Sequence, residues 1–175
     1  MDPNLPAYKG LGERRYRETS GLYYEDFEPG DVFEHRPGRT IMEADNTWFT
    51  LLTMNVQQVH FDAAYAAKSE WKKPLVNSAL TLAILTGMSV RTVSAKVVAN
   101  LGWDKVKATA PVFAGDTLYA ESKILHKRQS ESRPSQGIVT IETRGFNQNG
   151  AVVMSFERTM LIYKRGHSPE EAAGY

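Results

Sequence analysis

The feature that most constrains the fold is residues 79–90, whose apolar side chains would spread around most of a helix. Asn77 or Ser78 is a typical helix N-cap, and Pro74 lies just upstream. A helix that is apolar on most sides is buried on most sides, so the rest of this chain must wrap around it. The apolar residues around the helix are Ala79, Leu80, Leu82, Ala83, Ile84, Leu85, Met88 and Val90.

The second half of the chain supplies segments that can form this wrapping. Residues 117–125, 137–146 and 151–163 are typical of long strands, and Asn-Gln-Asn-Gly at 147–150 predicts a hairpin turn. Residues 97–101 predict a further strand. We therefore predict an α+β fold in which a curved antiparallel sheet surrounds one long central helix.

The length of 175 residues fits one domain with short additions at either end. Residues 1–20 are rich in proline, glycine and charge, and we interpret them as an N-terminal extension that is flexible or lies over a neighbouring surface. Residues 166–175 form a similar C-terminal tail, which leaves residues 21–165 as the domain.

Composition excludes several classes of function. The chain has 21 basic and 20 acidic residues, a net charge of +1, so no bulk field favours nucleic acid or a membrane. It has no cysteine, which excludes disulfides, thiolate metal sites and a cysteine nucleophile. The polar N-terminus lacks the apolar region of a secretory signal, and residues 75–90 are too polar for a membrane span. We expect a cytoplasmic protein.

The sequence TMNVQQVHFD, residues 53–62, holds the strongest candidate for chemistry. It contains His60, one of only four histidines, together with the amides of Asn55 and Gln57. One interpretation is structural: Asn55 caps a turn and His60 packs locally. The other is a polar pair that faces a pocket, with His60 moving protons and the Asn55 amide holding a water or a carbonyl.

The start of the apolar helix is the second candidate. Asn77 and Ser78 can act as an ordinary cap. Alternatively, the first free N–H groups of the helix can bind a ligand oxygen, because the helix dipole favours developing negative charge there. One such donor is worth roughly 3 kcal/mol in a transition state.

Basic residues near residues 126–137 form the third candidate. This segment is interpreted as a loop, and its cations are either solvated or clamp the phosphates of an anionic group such as coenzyme A. Arg91 and Lys96, after the apolar helix, could assist. Scattered histidines and the absence of nucleotide and hydrolase motifs argue against a metal site or those chemistries. The residues of this basic cluster are Lys123, His126, Lys127, Arg128 and Arg133.

Together, these segments resemble the MaoC-like dehydratases, the (R)-specific enoyl-CoA hydratases with a hot-dog fold. The resemblance rests on residues 54–62 and 74–78, which are similar to the hydratase motif and to the opening of the central helix, and on PVFAGDTL at 111–118. It covers residues 20–163 and implies a single hot-dog domain that forms homodimers, or larger assemblies of dimers, with the acyl-CoA site at the interface.

In that family an Asp and a His bind a water and add it across the C2=C3 bond of an enoyl-CoA, and a helix-start N–H holds the thioester oxygen. This chain departs from the motif at four places, with Asn55 for the Asp, Gln57 for an Asn, Gln58 for a Pro and Asn77-Ser78 for His-Gly. The pattern otherwise resembles the branch of mesaconyl-CoA, methylmalyl-CoA and itaconyl-CoA hydratases, which act on short, branched, dicarboxylic acyl-CoAs.

The resemblance implies a role for each candidate. His60 would be the general acid and base, Asn55 would orient the water, and the Ser78 N–H would polarise the thioester carbonyl. Coenzyme A would enter only as part of the substrate, without a separate cofactor or metal. The residues expected to bind substrate are Gln57, Asn77, Arg91, Arg128 and Arg133, with Arg39, Arg91 and Arg133 as candidates for a substrate carboxylate.

Two other functions remain open at this stage. A hot-dog thioesterase would release free coenzyme A, although such enzymes usually use an Asp or Glu near the central helix and residues 75–103 contain neither. A non-catalytic acyl-CoA-binding protein would bind these thioesters without turnover, and Asn55 would then mark lost activity.

Overall fold

The computed structural model describes residues 8–170 and 172–175, so residues 1–7 of the predicted extension lie outside the described residues. The described part of the extension forms a two-stranded antiparallel hairpin, β1 (Tyr8–Gly12) and β2 (Arg15–Glu18). Arg17 Nη1 donates to the carbonyl oxygen of Gly174. The extension and the C-terminal tail therefore contact each other.

The main sheet has five antiparallel strands among the described residues, in the order β3-β5-β6-β7-β4. In β6 and β7 side chains alternate between buried and partly buried for most of their length, as expected when one face of a sheet covers a core. The predicted strands are confirmed, but β5 runs to Gln129, so the expected loop at 126–137 is shorter. The strands are β3 (Val32–Thr40), β4 (Val97–Ala108), β5 (Thr117–Gln129), β6 (Gln136–Phe146) and β7 (Val152–Tyr163).

Three α-helices lie between β3 and β4 in the described chain: α1 (Glu43–Leu52), α2 (Ala63–Ala66) and α3 (Ser78–Met88). The predicted cap at the start of α3 is confirmed, because Asn77 Oδ1 accepts a hydrogen bond from Ala79 N at 3.0 Å. Beyond α3 the chain continues as a π-helical segment, Val90–Ser94, before β4.

The sheet covers one side of α3. Leu80, Ile84 and Leu85 pack into a core that also contains Leu118 and Phe156 of the sheet. The approach of Leu85 to β6 is close, since a Cβ added at Gly145 would overlap its side chain.

The opposite side of α3 is open in the single chain. Ala79, Ala83 and Gly87 are exposed, at the i, i+4, i+8 spacing of one helix face. The helix is therefore buried on fewer sides than its sequence predicts, and a second unit would be needed to bury the rest.

Candidate active site

The chain after α1 turns sharply at Met54, which has a φ of 57°. Asn55 follows, and its backbone N–H donates to Thr50 O at 3.0 Å. Asn55 Oδ1 accepts from Gln57 N at 2.9 Å, which closes an Asx turn. Because Oδ1 is occupied in this way, the amide of Asn55 presents its Nδ2 donor, which has no partner in the described part of the chain.

His60 ends a short 3-10 helix, Gln58–His60, and is partly buried. Its Nδ1 lies 2.8 Å from the carbonyl oxygen of Leu75. A carbonyl can only accept, so Nδ1 carries the proton and Nε2 carries the lone pair of the neutral imidazole. The Leu75 N–H in turn donates to Val59 O at 3.0 Å, which joins the His60 segment to the approach of α3.

Asn77 and Ser78 differ in what they offer a ligand. Asn77 is buried, with its side chain turned inward to cap Ala79 and to donate from Nδ2 to Thr50 Oγ1 at 3.3 Å. Ser78 is the exposed first residue of α3, where N–H groups have no intrahelical acceptor. A small cavity of about 80 Å³ borders Ser78 and is also lined by Val76, Thr81 and Ala108.

The most buried residues of α1 are polar, which the sequence did not predict. The spacing of the apolar residues at 44–54 predicts a helix face made of Trp48, Phe49, Leu51 and Leu52. Phe49 does pack against the core, but Trp48, Leu51 and Leu52 are 68%, 49% and 77% exposed. Asn46 and Thr50 are the buried residues of α1. The only signal for this in the sequence is the i, i+4 spacing of these two polar residues, which places them on one helix face.

Asn46 connects three parts of the site. Its Nδ2 donates to His60 O at 2.7 Å and to Leu75 O at 3.1 Å, and its Oδ1 accepts from Asn77 N at 2.8 Å. One side chain thus holds the His60 segment against the beginning of α3.

The structure brings together five of the predicted site residues. They lie around the end of α1 and the start of α3, and they are Asn55, Gln57, His60, Asn77 and Ser78. One of the three candidates for binding a substrate carboxylate, Arg39, lies on the same side of the molecule. Its Nη2 donates to Oδ1 of Asp45, in the first turn of α1, at 2.8 Å.

Three predicted arginines lie at the opposite end of α3, a helix about 16 Å long. Arg91 is in the π-helical segment and forms an ion pair with Glu18. Arg128 and Arg133 are exposed at the end of β5 and in the loop after it, beyond the second core that contains Ile124 and Val93. Within one chain these arginines are not grouped with His60.

A cavity of about 790 Å³ is also at that far end, between the N-terminal hairpin and the C-terminal tail. Three of the five cations on its walls are paired with acids of the same cavity: Arg91 with Glu18, Lys96 with Glu170 and Arg165 with Asp26. The smaller cavity borders the N–H groups at the start of α3 and is therefore the better candidate for chemistry.

Residues 8–170 and 172–175 contain no group of three or more His, Asp or Glu side chains arranged to hold a metal ion. Within the same residues, no helix is both long enough and apolar enough to cross a bilayer.

Comparison with known proteins identifies this arrangement. A family model described as mesaconyl-CoA hydratase matches residues 2–174. The mesaconyl-CoA hydratase of Cereibacter sphaeroides is 28% identical over 149 residues, which cover 85% of this chain and 43% of that protein.

Solved structures agree with this match. A putative MaoC domain protein dehydratase from Chloroflexus aurantiacus is 30% identical with a TM-score of 0.78, over 86% of this chain and 43% of the other. A Mycobacterium tuberculosis protein with a double hot-dog fold has a TM-score of 0.77 and 21% identity, over 84% of this chain and 46% of the other, and shows the fold alone. The hot-dog fold expected from the sequence is confirmed, and the chain spans less than half the length of these relatives.

Proposed function

Because the chain belongs to the mesaconyl-CoA hydratase family of MaoC-like hot-dog proteins, we propose that it adds water reversibly across the C2=C3 bond of a short enoyl-CoA. The observation that carries the proposal is the hydrogen bond from His60 Nδ1 to Leu75 O. This bond leaves Nε2 unprotonated, and its acceptor residue, Leu75, lies three residues in sequence before the helix-start donor at Ser78. A base and an oxyanion donor at one site are what hydration of a thioester-activated double bond requires.

In the proposed reaction, His60 Nε2 removes a proton from water as the water oxygen forms a bond to C3. The π electrons of the double bond move toward the thioester carbonyl and generate an enolate. The protonated imidazole then returns its proton to C2, so that one water is added and the histidine is regenerated. Dehydration is the reverse, with the same group acting first as base at C2.

Asn55 and Ser78 complete the mechanism. The unpartnered Nδ2 of Asn55 donates to the water oxygen, which leaves the water protons to face the base. The Ser78 N–H donates to the thioester oxygen, and the positive end of the α3 dipole stabilises the enolate charge. Coenzyme A is part of the substrate, and the mechanism uses no separate cofactor.

The substrate we propose is a branched or dicarboxylic acyl-CoA of the mesaconyl, itaconyl or methylmalyl type. The name of the family model supports this choice. Of the candidate arginines, Arg39 lies on the same side of the molecule as His60. Its exposed guanidinium could bind a substrate carboxylate in competition with Asp45. Gln57 stays a predicted substrate contact because its side chain is exposed beside the Asx turn.

We also propose that two copies of the chain form the working unit. The matched region is only 43% of the mesaconyl-CoA hydratase of Cereibacter sphaeroides, and α3 has an open face that a second unit would cover. Strand β4 lies at an edge of the sheet and exposes Leu101, Trp103 and Val106, whereas the other edge strand, β3, contains Pro37, a residue that discourages strand pairing.

Antiparallel pairing of β4 with β4 of a second copy would have a consequence for the site. The Val97 end of one strand would lie beside the Ala108 end of the other, and Ala108 lines the cavity next to Ser78. Arg91 and Lys96 precede Val97, so this pairing would bring the predicted phosphate-binding residues of one copy toward the active site of the other.

The test is turnover of mesaconyl-CoA, itaconyl-CoA and crotonyl-CoA, and of their hydroxyacyl products, followed by mass spectrometry. We expect the mass gain of one water from at least one enoyl-CoA, and a 100- to 10,000-fold lower rate for His60→Ala because the acid-base group is lost. His167→Ala is the matched control, since this histidine is exposed in the C-terminal tail.

The same assay separates the rival functions. Release of free coenzyme A, detected with a thiol reagent, would indicate a thioesterase. Binding of the thioesters without any product from either direction would indicate a non-catalytic protein, and an unchanged rate in His60→Ala would exclude the mechanism.

A further inference from the structure

Asn46 is the most completely bonded polar side chain near the candidate site. It lies in the first half of α1, is 3% exposed, and uses both amide hydrogens and its oxygen in bonds of 2.7, 3.1 and 2.8 Å. None of its three partners belongs to α1; they are main-chain groups of His60, Leu75 and Asn77.

The bond to Leu75 O has a direct effect on His60. The same carbonyl oxygen accepts from Asn46 Nδ2 and from His60 Nδ1, one donor for each of its two lone pairs. Asn46 therefore fixes the direction of the carbonyl that selects the imidazole tautomer. Its second bond, to His60 O, fixes the main chain from which the ring projects.

The third bond acts on the other half of the site. Asn46 Oδ1 accepts from the N–H of Asn77, the residue that caps α3 and precedes Ser78. His60 and Ser78 are separated by a short helix and a loop in the sequence, and this amide joins the two segments directly.

Few side chains could replace an amide here. A carboxylate of the same shape would keep the acceptor for Asn77 N but would face two carbonyl oxygens without a hydrogen to donate. An apolar side chain would remove these bonds from the His60 carbonyl and the Asn77 N–H, and would leave the Leu75 carbonyl with His60 Nδ1 as its side-chain donor.

We infer that Asn46 is a positioning residue, which holds His60 in the tautomer with Nδ1 protonated and keeps its Nε2 in register with the Ser78 N–H. The effect of Asn46 on the rate of hydration rests on the proposed hydratase function, whereas its effect on the tautomer of His60 does not. The two can therefore be tested separately.

The test is ¹⁵N NMR of histidine-labelled protein at a pH where the imidazole is neutral, combined with steady-state kinetics. In the wild type we expect the Nδ1–H tautomer of His60. In Asn46→Ala and Asn46→Asp we expect a mixture of tautomers, and a kcat lower by about 100-fold, as for a small misplacement of a reacting group, with little change in KM.

Thr50→Val is the matched control, because it removes a buried acceptor of the same helix, the Thr50 Oγ1 to which Asn77 Nδ2 donates, without touching His60 or Leu75. It is expected to keep the wild-type tautomer even if it lowers the melting temperature. Asn46→Asp keeps the size of the side chain and serves if Asn46→Ala does not fold.

Three results would overturn the inference: an Nε2–H tautomer in the wild type, an unchanged tautomer in both Asn46 variants, or a tautomer change in Thr50→Val equal to theirs. If the wild type hydrates no acyl-CoA, the proposed function fails while the NMR result still decides the role of Asn46.

Discussion

At the scale of single residues, Asn55 is where this chain departs most from the hydratase motif that it resembles. Its geometry is that of a residue with two tasks. Oδ1 closes the turn by accepting from Gln57 N, and Nδ2 is left to bind a ligand. An aspartate could close the same turn, but it would present an acceptor to the water in place of a donor. In the proposed mechanism, the side chain at position 55 therefore sets the orientation of the water, whereas either side chain can close the local turn.

We expect Asn55→Asp to leave the fold intact and to lower kcat/KM for mesaconyl-CoA by about 100-fold, because the bound water would turn a proton toward residue 55. The measurement is kcat/KM for mesaconyl-CoA and crotonyl-CoA in parallel. Gln58→Glu introduces the same charge on an exposed neighbour and is the control for electrostatics. A rise in crotonyl-CoA hydration in Asn55→Asp would show instead that Asn55 is a lost acid.

At the scale of elements, α1 and β4 have apolar surfaces that the single chain leaves uncovered. In α1, Trp48, Leu51 and Leu52 face outward because the inner side is used by Asn46 and Thr50. In β4 most of the side chains are exposed. Exposed apolar groups of this extent mark interaction surfaces, and a strand with a free edge is a template for pairing.

We expect the chain to be a dimer in light scattering after size exclusion, and we expect the β4 double variant Trp103→Arg, Val106→Lys to shift it to monomer and to reduce hydratase activity. Charged side chains at the centre of a β4–β4 contact would repel each other and remain desolvated. Val32→Lys on the opposite edge strand is the control, since Val32 is 53% exposed. A dimer that survives the β4 changes, or dissociates with Val32→Lys, would move the interface elsewhere.

At the scale of the whole molecule, a buried polar group lies in the core near the end of α3 and the π-helical segment. His35 of β3 is fully buried, with Nε2 2.7 Å from Ser122 Oγ and Nδ1 2.7 Å from Thr92 Oγ1. Burial, and then the charges of Arg158 and Arg36, lower the pKa of His35 from 6.5 to about 4. Arg158 is itself buried, donates to Ser89 Oγ at 2.8 Å, and has its pKa lowered to about 10 by burial.

The unfolded chain therefore binds a proton at His35 at a higher pH than the folded chain does. The stabilising effect of neutral His35 is complete above pH 6.5 and is lost as the pH falls toward about 4. The free energy of unfolding should drop by up to about 3 kcal/mol over that range. Urea unfolding between pH 7.5 and 4.5 measures this slope.

His35→Gln is the matched variant, since its amide can donate and accept between the same two hydroxyl groups but does not titrate. We expect a shallower decline in unfolding free energy with decreasing pH, whatever the variant's stability at pH 7.5. Equal slopes in the two proteins would assign the acid sensitivity to other groups.

The sequence by itself determined the fold and the main candidates for chemistry. The apolar residues 79–90, the strands after them and the cap at Asn77 follow from hydrophobic periodicity and local hydrogen bonding, which depend on residues near one another in the chain. The motif around His60 likewise lies within one short segment, so its pattern could be compared directly.

Only the tertiary structure decided which groups meet. The inward face of α1, the link from Asn46 to His60 and Asn77, and the burial of His35 beside Arg158 all join segments distant in sequence. The separation of Arg91, Arg128 and Arg133 from His60 is also a property of how α3 and β5 are packed. Local periodicity carries no information on such contacts, because they arise from packing one element on another and from a surface that a second chain would complete.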